Sequence, residues 1–130
     1  MTKNLRLTEE QFAERKKGPK GQPVRPYERD VQEAVLTLCN LHKNIVWLAR
    51  MNTGATKIGE RFIRFGFPGL SDIIGQTLDG RFVAIEVKRE GEKPTEEQQA
   101  FLQMVAQHNG IAGCAHTAQE AWDIIHEGAK

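Results

Sequence analysis

The chain has 130 residues, of which 39% are hydrophobic and 27% are charged. This is enough for one folded domain, and the composition is that of an ordinary globular protein, which excludes disordered, collagen-like and disulfide-scaffold chains. No apolar run approaches the ~20 residues of a membrane helix, and no signal-peptide block follows the N-terminus. We therefore expect a cytoplasmic protein without a membrane partner, in which Cys39 and Cys114 are reduced core residues.

Charge is unevenly distributed along the chain. Residues 1–26 carry seven basic and three acidic side chains, whereas residues 27–130 carry eleven basic and fourteen acidic ones. Glycines and prolines crowd positions 18–26 and interrupt regular structure there. We interpret residues 1–26 as a basic N-terminal arm and linker and residues 27–130 as the folded domain. Such an arm suits a polyanion, although a solubilising tail explains its charge equally well.

The first half of the domain begins with a helix, predicted over residues 27–42 because apolar side chains recur there at helical spacing: Val31, Ala34, Val35 and Leu38. The run at 45–49 is short, apolar and rich in strand formers, and it predicts a buried strand. A turn is expected at 52–54 and a second short strand at 61–65.

The second half alternates strands and helices. The predicted elements are strands at 71–76 and 82–88, a helix capped by Thr95 and stopped by Gly110, a strand at 111–116, and a last helix capped by Thr117. Taken together, the order of elements predicts an α/β fold in which helices surround a mixed sheet.

The strand at 82–88 carries an unusual pair of charges. Because side chains alternate across a strand, Glu86 and Lys88 project from the same face, while the intervening positions are apolar. An exposed edge strand with an ordinary ion pair is one interpretation. The apolar flanks favour the centre of the sheet instead, where a charge needs a reason.

A second carboxylate, Asp72, lies on the preceding strand. A two-residue hairpin loop at 79–80 would set Asp72 opposite Val87, on the other face. A three-residue loop with Gly80 in the left-handed conformation sets it opposite Glu86, and such loops are common. Two opposed carboxylates repel each other, and a divalent cation removes the conflict. Ligation by oxygen alone suits Mg²⁺ or Mn²⁺.

Two helix residues are further candidates for this site. Glu28 heads the apolar stripe of the first helix, whereas Glu33 lies on the opposite face. Gln98 heads the stripe of the helix that Thr95 caps. Each has a purely structural alternative: Glu28 is a first-turn carboxylate that the helix dipole favours, and Gln98 is the third helical residue of a capping box.

Basic residues cluster between the first strand and Asp72, and they are candidate phosphate contacts: Arg50, Lys57, Arg61 and Arg64. Alternatively, some of these residues are ordinary surface charges that contact only water. We expect Lys57 and Arg61 to belong to a glycine-containing loop, beginning at Gly54, that tracks a nucleic-acid strand. No zinc-finger spacing or sequence-reading helix is present, which favours recognition by backbone and shape.

Three segments in order, Gly69-Leu70-Ser71-Asp72, Glu86-Val87-Lys88 and Thr95-Glu96-Glu97-Gln98, carry a resemblance to a known family. They are similar to the Gly-x-Pro-Asp, Glu-x-Lys and Gln motifs of the VRR-NUC domain (virus-type replication-repair nuclease), a branch of the PD-(D/E)xK nuclease superfamily. The similarity runs from about Glu28 to Ile125. Ser71 replaces the usual proline, a residue that shapes the backbone and is not a ligand.

The resemblance implies a restriction-endonuclease-like core and a Mg²⁺- or Mn²⁺-dependent deoxyribonuclease. By position, it implies that Asp72, Glu86 and the Val87 carbonyl bind the metal. Lys88 would orient the attacking water and steady charge on the phosphate. Glu28 would act near the metal directly or through water, and Gln98 would position Lys88 or the water.

Stand-alone domains of this family resemble Holliday-junction resolvases in size and organisation. The resemblance therefore implies a homodimer that cuts branched DNA, encoded by a bacterium or a phage and serving recombination or repair. Two alternatives remain open. One is a nuclease acting on linear or nicked DNA ends, and the other is a catalytically inactive DNA-binding subunit of the same fold.

Overall fold

The computed structural model describes residues 28–51 and 54–130, and within these it leaves the side chains at 54–56 and 63–65 undescribed. The predicted basic arm at 1–26 lies outside the described residues, as do Asn52 and Thr53 of the predicted turn. No helix in the described ranges combines the length and the apolar character needed to cross a membrane.

Three helices and six strands make up the described part of the chain. In order they are α1 (Glu28–Cys39), β1 (Ile45–Arg50), β2 (Gly54–Ile58), β3 (Arg61–Phe65), β4 (Ile73–Thr77), β5 (Phe82–Val87), α2 (Glu96–Gln107), β6 (Ile111–Ala115) and α3 (Ala118–Gly128).

Four of the strands form one mixed sheet in the order β1-β4-β5-β6, in which only β5 and β6 are parallel. One face packs against α1 and α3 through a cluster that includes Val35, Ile85 and Ile125. The other face packs against α2, where Ala84 contacts Leu102 and Val105. The predicted α/β fold, a mixed sheet flanked by helices, is confirmed.

β5 is an interior strand of this sheet, so the interpretation of it as an exposed edge strand is wrong. The side chains of Val83, Ile85 and Val87 are fully buried on the side of α1 and α3. Full burial of such a side chain stabilises the fold by roughly 1.5–3 kcal/mol. The strand that carries Glu86 is therefore anchored in the core of the domain.

Three sequence predictions need correction. The segment after Gly54 is not a loop but β2, because its pairing with β3 outweighs weak local strand propensity. β1 is not a buried strand but a sheet edge, with Val46 and Trp47 exposed. In α1 the buried side chains are Gln32, Val35 and Cys39, while Ala34 is exposed, because the stripe is rotated from the predicted one.

The register of the β4–β5 hairpin follows the three-residue loop. Ile73 pairs with Ile85 and Gly75 with Val83, and Gly80 has a φ of 84°. One further step along this register sets Asp72 opposite Glu86, at the end of the sheet.

Candidate active site

Asp72 is held where β1, β4 and β5 meet. Its Oδ2 accepts a hydrogen bond from the Val87 amide at 2.9 Å, and its backbone carbonyl accepts one from the Met51 amide at 2.7 Å. The side chain thus bridges to the strand that carries Glu86, while the main chain is fixed by the segment that follows β1.

Gly69 lets the loop before Asp72 approach the N-terminus of α2. Its φ is 90°, and a Cβ at this position would lie 2.5 Å from the Glu97 carbonyl oxygen. Both the left-handed backbone and the close approach exclude other residues. This glycine of the Gly-x-Pro-Asp pattern therefore lets α2, and with it Gln98, lie close to Asp72.

Gln98 forms the predicted capping box and also contacts Glu86. Its side-chain Oε1 accepts a hydrogen bond from the Thr95 backbone amide at 2.8 Å, and its backbone amide donates one to Thr95 Oγ1 at 3.2 Å. Together these two bonds complete a capping box. Its Nε2 donates to Glu86 Oε1 at 3.3 Å. The side chain therefore ties the start of α2 to Glu86, whereas the resemblance implied a contact with Lys88 or water.

Glu86 is a buried acid without full compensation. Its side chain is 1% exposed, and Oε2 has no hydrogen-bond partner within the described ranges. The pKa of Glu86 is raised to about 9, chiefly by burial and then by a hydrogen bond with the Asp72 carboxyl and the charge of Asp72, while the charge of Lys88 opposes the rise. An orphaned carboxyl oxygen beside a second carboxylate fits a hard divalent cation, which would let both acids ionise.

Lys88 and Glu28 meet at a cleft of about 340 Å³ beyond the end of β5. Val31, Glu90 and His116 contribute to its lining. The charge of Glu28 raises the pKa of Glu86, so Glu28 acts on the site electrostatically. Glu33 instead lies exposed, 4.0 Å from Arg29. The separation of Glu28 from Glu33 predicted by the helix faces is confirmed.

The four basic candidates lie on three different strands. Arg50 ends β1 and is half-buried, while Lys57 and Arg61 are exposed on the β2–β3 hairpin. The backbone of Arg64 lies in β3, and its side chain is not among those described. Lys57 and Arg61 thus belong to a pair of strands and not to the predicted loop.

Sequence reasoning missed a cluster beside the cleft, formed by Glu90, His116 and Glu120, whose candidate ligand atoms lie within 4.8 Å of one another. Thr117 and Glu120 have capping-box spacing, but the Glu120 carboxylate accepts from the His116 amide (3.1 Å) and lies 2.9 Å from His116 Nδ1. This hydrogen bond raises the pKa of His116 and lowers that of Glu120. Glu90 is far from His116 and Glu120 in the chain, so no short motif in the sequence indicated this cluster.

The cysteines are both free. Cys39 is fully buried, and burial raises the pKa of its thiol to about 11. Cys114 is only partly buried and pairs in register with Glu86 across β5 and β6. Its pKa is raised by burial and then by the charge of Glu86. The prediction of core cysteines thus describes Cys39 better than Cys114.

Comparison with known proteins agrees with this geometry. The family model of the VRR-NUC domain matches residues 28–119, which is most of the chain. Neither the curated proteins nor the solved structures contain a significant match. Domains of the PD-(D/E)xK-like class are DNA-binding nucleases that use divalent metal ions. The chain therefore belongs to the VRR-NUC family and has the PD-(D/E)xK-like nuclease fold.

Proposed function

We propose that this protein is an endonuclease that hydrolyses DNA phosphodiester bonds with the help of Mg²⁺ or Mn²⁺. The observation that carries the proposal is the buried Glu86 carboxyl, which lies against Asp72 at the end of the central strands with one oxygen unpartnered. Oxygen-only donors select hard cations of this kind.

Each residue has a role that its position supports. Asp72, Glu86 and the Val87 carbonyl would hold the ion. A divalent ion bound there would neutralise the phosphate and make hydroxide available near neutral pH. Lys88, in the adjoining cleft, would steady negative charge on the phosphate or orient the water. Gln98 holds Glu86 through its amide, and Glu28 shapes the field at the mouth of the cleft.

The metal assignment is tested by Asp72→Asn and Glu86→Gln. We expect each to lower cleavage at least about 10³-fold, because several kcal/mol of transition-state stabilisation are lost. Each should also abolish Mn²⁺ binding measured by calorimetry. Glu28→Gln should reduce cleavage and the matched Glu33→Gln should not. Full cleavage by Glu86→Gln would refute the assignment.

For the substrate, we propose branched DNA such as Holliday junctions, cut by a homodimer. One site per chain supports a pair, because symmetric cleavage of a junction needs two sites. A groove of about 450 Å³ on the α2 side of the sheet offers apolar surface, including Phe67 and Met104, for a second copy. We further propose that residues 1–26 are a basic arm that contacts phosphates beside the nuclease domain at 27–130.

Cleavage of a four-way junction, a flap, a linear duplex and a single strand tests the substrate. We expect junctions to be cut fastest in Mg²⁺ or Mn²⁺, by a protein with the solution mass of a dimer. Equal cleavage of linear duplex would indicate a nuclease for linear or nicked ends. DNA binding that is unchanged in Asp72→Asn, with no cleavage by the wild type, would indicate an inactive binding subunit.

A further inference from the structure

The β2–β3 hairpin begins and ends beside the candidate metal ligands. It lies between β1 and Asp72 in the chain, and the residues that flank it are joined where the Met51 amide donates to the Asp72 carbonyl at 2.7 Å. Because Asp72 contacts Val87 through its carboxylate, the base of the hairpin adjoins the strand ends that carry the site. A ligand bound at the base of the hairpin therefore lies close to Asp72.

The tip of the hairpin pairs a cation with a large apolar side chain on each face. Lys57 is opposite Phe62, and Ile58 is opposite Arg61. Ile58 is 61% exposed and Phe62 is 68% exposed. For the described residues, no other helix or strand packs extensively against β2 or β3. The apolar side chains are thus not part of the core.

A hairpin with exposed apolar side chains is expected to bind a partner that covers them. A two-stranded hairpin is only marginally stable by itself in water. Cations next to aromatic or aliphatic side chains match single or splayed nucleic-acid strands, in which phosphates alternate with exposed base faces. A second copy of the same tip fits poorly, because each face would bring its lysine or arginine towards a like charge.

We propose that the β2–β3 hairpin is a wedge that recognises the point where a DNA duplex opens or branches. Phe62 and Ile58 cover the exposed faces of base pairs at that point, while Lys57 and Arg61 contact the flanking phosphates. In a continuous duplex the base faces are stacked, so the apolar side chains find no surface there without unstacking it. The proposal rests on the proposed nuclease function and names the DNA feature that directs it.

Binding of the full-length wild type to DNA, measured in EDTA so that no cleavage occurs, tests the wedge. The probes are a fluorescent four-way junction, with 2-aminopurine at the branch, and a linear duplex of the same arms. We expect the double variant Phe62→Ser, Ile58→Ser to bind the junction about tenfold more weakly, the loss typical of one missing base contact. Linear duplex binding should change less than about twofold, because it uses the cations alone.

The matched control is Leu78→Ser, which alters a side chain that is 69% exposed in the β4–β5 turn, at the other end of the sheet. It should bind both DNAs as the wild type does. The 2-aminopurine signal should rise on binding of the wild type and the control but not of the double variant. Lys57→Ala and Arg61→Ala together should weaken binding to both DNAs and reduce its salt dependence.

Two outcomes overturn the wedge. One is a double variant, folded as judged by circular dichroism, that binds junction and duplex with an unchanged ratio. The other is a double variant whose solution mass falls to that of a monomer, which would make the hairpin a subunit contact. Failure of the nuclease proposal has a different signature, since it shows as no cleavage by the wild type in Mg²⁺ or Mn²⁺, whatever the binding ratio.

Discussion

The centre of the sheet and the β2–β3 hairpin hold their residues in contrasting ways. Around Glu86, partners come from α2, from Asp72 just before β4 and from β6, and the side chain is buried. In the hairpin, the described pairing is local, between strands joined by the two residues Gly59 and Glu60, and the described side chains are exposed. Precise chemistry needs groups that cannot move, whereas a recognition element needs surface that a partner can cover.

The largest expected difference between the two regions is in stability. Ile85→Ala removes a fully buried side chain from β5 and should lower the free energy of unfolding by about 2–5 kcal/mol. Phe62→Ala should change it by less than about 0.5 kcal/mol, because the side chain is exposed. Urea denaturation of both variants measures the contrast. A large loss in Phe62→Ala would mean that the hairpin packs on the body of the domain.

The buried acid predicts an unusual pH dependence for the metal-free protein. Glu86 keeps its proton up to a pKa of about 9 in the folded state, whereas in the unfolded chain it ionises near 4.5. The folded state therefore binds more protons in this window, and its contribution to stability falls as pH rises.

In EDTA at pH 8, Glu86→Gln should accordingly be more stable than the wild type by several kcal/mol, and the difference should vanish near pH 4. Thermal unfolding at several pH values measures it. Saturating Mg²⁺ should stabilise the wild type and not the variant. A variant that is less stable than the wild type at pH 8 in EDTA would show that Glu86 is ionised in the fold.

Gln98 connects the helix cap to the site, so its replacement should affect both. Gln98→Ala should cost about 1 kcal/mol of stability from the lost cap and about tenfold in cleavage. Gln99→Ala, next to it on an exposed face, is the control: it removes only an exposed hydrogen bond to the Pro94 carbonyl and should leave cleavage unchanged. Gln98→Glu separates the roles: it retains an acceptor for the Thr95 amide but places a carboxylate against Glu86. Cleavage by Gln98→Glu equal to that of the wild type would mean the contact with Glu86 has no function.

The smallest expected effect concerns Ser71, which stands where the family pattern has proline. Its side chain is fully buried, and Oγ has no hydrogen-bond partner in the described ranges. Ser71→Ala should therefore stabilise the fold by about 1 kcal/mol. Thr77→Val is the contrasting variant and should destabilise it, because the Thr77 hydroxyl accepts from the Arg81 amide at 2.9 Å. Chemical denaturation distinguishes the two signs.

Several parts of the fold and site were predictable because short-range patterns carry them. Thr95 and Gln98 have the spacing of a cap, and Gly80 has the left-handed conformation that selects the hairpin register. That register, together with the two-residue alternation of strands, sets Asp72 opposite Glu86. The roles assigned to these residues remain predictions for the experiments above.

Other features were not predictable because they depend on distant partners. The residues of β2 become a strand by pairing with β3. The apolar composition of β1 and β5 predicted burial for both strands, but β1 lies at an edge of the sheet and only β5 lies in the interior. Likewise, Gln98 reaches Glu86 only because Gly69 permits α2 to approach.

The sequence by itself determined the order of most helices and strands, a choice between two registers for the hairpin that carries Asp72 and Glu86, and the resemblance to the VRR-NUC family, because periodicity, caps and turns are local properties. Only the tertiary structure decided which acid is buried, how far its pKa rises and which basic residues project on a hairpin. Those properties depend on the low dielectric and the neighbours that packing creates, and these come from residues far apart in the chain.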